Sequence, residues 1–145
     1  MAVTLIVVCA VVAGSLIAVW IKRTVGQRDM EEHSITPEAL HTLLLQDPKV
    51  LLFDVRQPLD LLANSEIIPG AKRVPPNDVL ENPALIPKEQ DSIVYCTCPS
   101  DKTSRIILRR ARSLNFLRIK FLKGGLAAWK AMGYPVEPYT QPFHL

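Results

Sequence analysis

The stretch Ser92 to Ser104 restricts the possible folds of this chain more than any other. A short β-rich apolar run, Ser92-Ile93-Val94-Tyr95, leads straight into the polar loop Cys96-Thr97-Cys98-Pro99-Ser100-Asp101-Lys102. Apolar positions at helical spacing follow: Ile106, Ile107, Leu108, Ala111 and Leu114. The spacing predicts a buried strand that turns directly into a helix, with Thr103 or Ser104 as N-cap. A sulfur at such a junction faces the positive end of a helix dipole and a set of unpaired backbone N–H groups. Both favour thiolate over thiol.

The same alternation recurs along the chain. Thr36-Pro37-Glu38 is a helix start, with Thr as N-cap, Pro at the first helical position and Glu in the first turn, and the helix is expected to end near Gln46. Val50 to Phe53 reads as a buried strand running into Asp54-Val55-Arg56, and Pro58 to Ala63 as a short helix. A turn at Ile67-Ile68-Pro69-Gly70-Ala71 precedes a short strand around Arg73-Val74, and Pro75 to Pro87 is too Pro-rich for more than one short helix. Arg118 to Leu122 makes another strand, and Gly124-Gly125 opens a helix carrying Leu126, Ala127, Trp129 and Met132. Strands alternating with helices predict an α/β domain with a mainly parallel sheet, whose active site forms at the carboxyl ends of the strands. Tyr134 to Leu145, with Pro135, Pro138 and Pro142, reads as an irregular tail.

One end of the chain follows different rules. Ala2 to Ile21 carries no charged residue and inflates the 48% hydrophobic content of the 145 residues. As a helix it is about 30 Å long, the thickness of a bilayer's hydrocarbon core. A transmembrane anchor is the expected reading. A cleaved signal peptide and a buried soluble helix are the alternatives; no Lys or Arg precedes the apolar run, and no A-x-A site lies between Leu16 and Lys22. Lys22, Arg23 and Arg28 follow the apolar run, with Trp20 at the boundary, so the positive-inside rule predicts a single-pass protein with its domain on the cytoplasmic side. The expected divisions are an anchor over 1–23, a juxtamembrane linker over 24–33, an α/β domain over 34–138 and a tail over 139–145.

Three cysteines are too few for a disulfide framework, and Cys9 lies within the apolar segment. Cys96 and Cys98 are expected to be reduced thiols in a cytoplasmic domain. A net charge of +3 is mild for a nucleic-acid binder, and no nucleic-acid partner is expected. Lys102, Arg105, Arg109, Arg110 and Arg112 read mainly as a solvated helix face, but Lys102 and Arg105 lie near enough to the loop to bias it toward anions. Asp101 sets a negative charge on the same loop, partly offset by Lys102. His33, His41 and His144 form no Cys-His dyad or zinc set with recognised spacing, so neither metal nor cofactor is expected.

In order and spacing, Ile35-Thr36-Pro37-Glu38, Phe53-Asp54-Val55-Arg56, Ile68-Pro69-Gly70-Ala71, Val94-Tyr95-Cys96, Leu122-Lys123-Gly124-Gly125-Leu126-Ala127-Ala128-Trp129 and Gly133-Tyr134-Pro135-Val136 resemble a rhodanese domain over about Ile35 to Glu137. The resemblance is to single-domain thiosulfate sulfurtransferases, here behind a membrane segment, and implies the rhodanese-like fold. It also implies a cysteine that takes a sulfane sulfur from a donor, holds it as a persulfide and passes it to a thiophilic acceptor, either of them a small molecule or a protein thiol. Asp54 and Arg56, matching the family's D-V-R motif, are expected to be structural, tying loops around a strand end. Ser100, Lys102, Thr103, Ser104 and Arg105 are the loop or substrate-binding candidates.

Two registers compete for the nucleophile. Counted from the strand, Cys96 stands in the family's position; counted back from the helix, Cys98 to Thr103 is a six-residue loop of the usual rhodanese length. Cys98 is favoured because the distance to the helix N-terminus determines where the N–H donors point, although Pro99 lacks one. The fold's phosphatase relatives use Cys followed by five residues and Arg. The matching positions are Ser104 from Cys98 and Lys102 from Cys96, with Arg105 one place late, so phosphoryl chemistry is disfavoured. A catalytically silent binding module and a redox-active Cys-x-Cys pair, one thiol resolving a persulfide or sulfenate on the other, complete the alternatives.

Overall fold

A computed structural model of the chain describes residues 1–142; His144 and the rest of the terminal segment lie outside the described residues. The chain divides into two compact units, Met1–His33 and Ser34–Leu145. The first is a single helix, α1 (Ala2–Glu32), in which Ile6–Glu32 contains an 18-residue window with a mean hydropathy of 2.0 and is long and apolar enough to cross a membrane. A signal sequence satisfies the same criteria. The polar stretch read as a linker is itself helical as far as Glu32. It contains no proline, and its one glycine, Gly26, costs only about 1 kcal/mol in a helix interior.

The second unit is built on a five-stranded sheet of β1 (Ser34–Ile35), β2 (Leu51–Asp54), β4 (Lys72–Arg73), β5 (Ser92–Tyr95) and β6 (Ile119–Leu122). The strand order is β1-β6-β5-β2-β4, and every neighbouring pair is parallel. Helices α2 (Pro37–Gln46), α3 (Pro58–Ala63), α4 (Pro76–Glu81), α5 (Lys102–Ser113) and α6 (Gly125–Ala131) connect the strands. A parallel sheet must be covered on both faces, and the strands read accordingly: all four residues of β5 are buried. Ile93 and Tyr95 point to one face with Leu52 and Leu122, packing against Leu40 of α2 and Leu126 and Trp129 of α6. Val94, Phe53 and Phe121 alternate to the other, and Ile107, Leu108 and Ala111 give α5 its buried side. Each large apolar side chain fully buried in this way contributes about 1.5–3 kcal/mol.

The expected helix from Thr36 is present, and the Thr36 hydroxyl accepts the Ala39 N–H at 3.3 Å. The C-terminal segment departs from its irregular reading. Glu137–Pro138 forms β7, antiparallel to β3 (Glu66–Ile67), with the Tyr139 N–H bonded to the Ser65 carbonyl at 2.7 Å. Proline is compatible with this two-stranded ribbon because an edge strand does not need every N–H.

Candidate functional site

The central strand β5 ends where its neighbours β2 and β6 also end, so three loops meet at one edge of the sheet: Val55-Arg56 after β2, Cys96 to Asp101 after β5, and Lys123-Gly124 after β6. Cys96 continues β5 and is 1% exposed, whereas Cys98 stands partly exposed. Their Sγ atoms lie 2.7 Å apart, and neither cysteine is in a disulfide.

Beyond Cys98 the chain curls tightly. Ser100 and Asp101 both adopt left-handed conformations, with φ of 56° and 54°, and the Asp101 N–H returns to the Cys98 carbonyl at 3.2 Å. Non-glycine residues in this region cost about 1–2 kcal/mol each, so the rest of the fold must hold them there. The result is that α5 begins at Lys102 and the Thr103 N–H donates to Cys98 Sγ at 3.1 Å. Asp101, not Thr103 or Ser104, occupies the N-cap position, and its side chain does not cap the helix. The left-handed pair moves the helix start forward from the position predicted by side-chain preferences.

Asp101 is also not the solvent-facing charge expected from sequence. It is 5% exposed, and its Oδ2 accepts the Gly124 N–H at 2.9 Å, pinning the loop after β5 to the loop after β6. Gly125 closes the same joint. Its φ is 56°, the Cys96 carbonyl oxygen occupies a position 1.9 Å from where a Cβ would stand, and the Leu126 N–H donates to that carbonyl at 3.1 Å. Only glycine allows this approach.

The two thiols differ in character. Burial pushes the Cys96 thiol up to about 11, reinforced by its contact with Cys98. Burial also opposes ionisation of Cys98, but hydrogen bonds from the Cys96 thiol, the Thr103 hydroxyl and the Thr103 N–H outweigh it and hold Cys98 below its ordinary value. Cys98 is therefore the more acidic thiol of the contacting pair. The fully buried Ser104 Oγ lies near enough to Cys96 to moderate that rise, yet has no hydrogen bond of good geometry. Ser100 is exposed on the loop and Lys102 is exposed at the first position of α5. The Arg105 guanidinium stacks 4.9 Å from the Phe121 ring centre, with its Nε buried and unpartnered.

Beneath the loop, Asp54 and Arg56 form a fully buried ion pair. Arg56 Nε donates to both Asp54 oxygens at 2.9 Å, while Nη1 and Nη2 hold the Asn64 and Glu66 carbonyls at 2.8 and 2.7 Å. The Tyr95 hydroxyl donates to Asp54 Oδ2 at 3.3 Å and accepts the Ile68 N–H at 3.2 Å, linking the pair to the residue before Cys96.

The profile of the Rhodanese-like domain family matches residues 36–132. The chain belongs to this family. The Alr3790 protein of Anabaena sp. is 31% identical, with a TM-score of 0.62 over 72% of this chain and 82% of that one. A protein from Rhodopseudomonas palustris described as a possible tyrosine phosphatase shares the fold at 19% identity, with a TM-score of 0.64 over 77% of this chain and 88% of that one. A thiosulfate sulfurtransferase from Pseudomonas aeruginosa shares it at 24% identity and a TM-score of 0.57; 72% of this chain aligns with 19% of that one. A comparison with curated proteins gave no match.

Within the rhodanese-like domain, Cys96, Cys98, Thr103 and Ser104 come together, with Asp54 and Arg56 bracing the adjacent strand end. His41 instead stacks on Tyr134, with ring centres 4.2 Å apart, and His33 Nδ1 lies 2.8 Å from the Asp29 carbonyl. Among the described residues no group of three or more His, Cys, Asp or Glu is placed to hold a metal. Sequence reasoning missed the joint made by Asp101 and Gly125. Its one visible signal was the Gly124-Gly125 pair, read as the opening of a helix and not as a wall against Cys96.

Proposed function

We propose that this rhodanese-like domain is a sulfurtransferase in which Cys98 carries sulfane sulfur as a persulfide. The observation behind this reading is the placement of Cys98 Sγ at the start of α5, accepting the Thr103 N–H at 3.1 Å with its thiol held below the ordinary range. The thiolate attacks the outer sulfur of a donor such as thiosulfate; the S–S bond breaks and sulfite leaves with the electron pair. The anionic persulfide remains beside the loop N–H and the positive helix end until an acceptor removes the outer sulfur and regenerates the Cys98 thiolate. Arg105 stacks on Phe121 and stands one residue late for a phosphatase loop, which counts against phosphoryl transfer.

The test is thiocyanate formation from thiosulfate and cyanide. Cys98→Ser should abolish it, and Cys96→Ser should leave a measurable, slower rate. The reverse pattern would transfer the role to Cys96, and an inactive wild type that takes up no sulfur from thiosulfate or a protein persulfide would favour a binding module.

The same proposal places α1 in a bilayer with the domain on the cytoplasmic side, because Lys22, Arg23 and Arg28 follow the apolar run. A tag after Leu145 should be inaccessible to protease in intact cells. Digestion without permeabilisation would reverse the topology.

A further inference from the structure

We infer that Cys96 is a resolving thiol, which discharges a Cys98 persulfide as hydrogen sulfide by closing a Cys96–Cys98 disulfide. The inference rests on the sulfurtransferase reading and concerns what happens to the sulfur when no acceptor arrives. The contact that carries it is the 2.7 Å separation of the two Sγ atoms, between partners on the same loop and only two residues apart. Cys96 touches the sulfur that belongs to Cys98 itself, so its attack falls on the inner atom of the persulfide and not on the sulfane sulfur beyond. The new bond is Sγ–Sγ. The bond that breaks joins Cys98 Sγ to the sulfane sulfur, and hydrosulfide leaves with its electron pair and takes up the proton given up by Cys96. The Cys98 persulfide and the Cys96 thiol thus become one disulfide and one molecule of hydrogen sulfide; the sulfane sulfur is reduced and the two cysteines are oxidised. An external thiol then reopens the disulfide by ordinary exchange, which its short, strained Cys-x-Cys ring favours.

The surroundings suit a slow discharge in competition with transfer. Cys96 is buried while Cys98 is partly exposed, so an external acceptor reaches the outer sulfur without passing Cys96. Cys96 is also the weaker acid of the two, and only its minor thiolate fraction can attack near neutral pH. The persulfide therefore lasts long enough to meet an acceptor, and one that meets none is converted to sulfide and a disulfide that any thiol reductant resets.

The experiment uses the whole chain in detergent, loaded with thiosulfate and cleared of donor without added thiol. Released sulfide and intact mass are followed together in the wild type, Cys96→Ser and Cys96→Ala. The wild type should release up to one sulfide per chain and end lighter than the reduced protein by two hydrogens. Both Cys96 variants should load more slowly, keep the added sulfur and release at least tenfold less sulfide. If the wild type keeps its extra sulfur as long as the variants do, the resolving role is overturned while the sulfurtransferase reading stands. If no form ever gains sulfur, the sulfurtransferase reading falls and takes this one with it.

Discussion

Two neighbouring strand ends in this domain treat buried polar groups in opposite ways. At the end of β2, Asp54 and Arg56 are completely buried and completely engaged, each oxygen and nitrogen serving a carbonyl, a hydroxyl or its partner. At the end of β5, Ser104 Oγ is buried without a partner, two non-glycine residues are left-handed, and two thiols in contact are pushed in opposite directions of acidity. A satisfied network is rigid and has no capacity left for a ligand. An unsatisfied one, held in place by the first, is where an incoming group finds donors. The contrast separates scaffold from reactive centre without reference to conservation.

The contrast can be broken most forcefully at the scaffold. Arg56→Met leaves the Asp54 carboxylate buried and unpaired, so about 3–5 kcal/mol of stability should be lost. Thermal or denaturant unfolding in detergent reads this, and the fraction that remains folded should still take up sulfur. Stability unchanged within 1 kcal/mol (about a fivefold change in the folded ratio) would mean the pair is not the brace it resembles.

Gly125→Ala comes next, because a methyl group there meets the Cys96 carbonyl and left-handed alanine alone costs about 1–2 kcal/mol. Sulfur uptake should fall more steeply than stability, since the displaced carbonyl belongs to the reactive loop. A variant with normal uptake would show that the joint does not position the thiols.

Asp101→Ala removes the acceptor of the Gly124 N–H and should cost about 1.5–3 kcal/mol while loosening the loop. The effect should persist at high salt, as expected of a buried contact. Faster thiosulfate turnover that vanishes with salt would instead restore the picture of Asp101 as an exposed repelling charge. The smallest effect belongs to Ser104→Ala. Deleting an unpaired buried hydroxyl should shift stability by less than about 1 kcal/mol in either direction, with the readout being sulfur uptake, which should slow if the hydroxyl meets the bound sulfur.

Strands β2, β4, β5 and β6, the helix starting at Thr36 and the cysteine-bearing loop were legible because each is local: periodicity, a Pro at the first helical turn, and an apolar run ending at a thiol; the two-residue β1 was not read, being too short to show a period and defined by its pairing with β6. The Glu66–Ile67 and Glu137–Pro138 ribbon was not, since the Pro-rich tail carries no alternation and its pairing is made by a distant segment. The N-cap of α5 was misplaced for a related reason. Asp101 is intrinsically as good an N-cap residue as Ser104 and better than Thr103, so side-chain preference does not choose among them; the choice is made by a contact distant in sequence, the Gly124 N–H bonded to the Asp101 carboxylate, which holds Asp101 at the helix start without capping it.

The central claim is that the helix register, not the strand register, selects the reactive sulfur. Site-resolved alkylation of the unloaded, reduced chain, followed by peptide mass spectrometry across pH, tests it most directly. Cys98 should react more than about tenfold faster than Cys96 at neutral pH. Because its acidity is enhanced, its rate should fall only as pH drops through a midpoint below that of an ordinary cysteine, while Cys96 should stay slow until pH approaches about 11. Faster labelling of Cys96, or equal rates with one shared midpoint, would contradict the account.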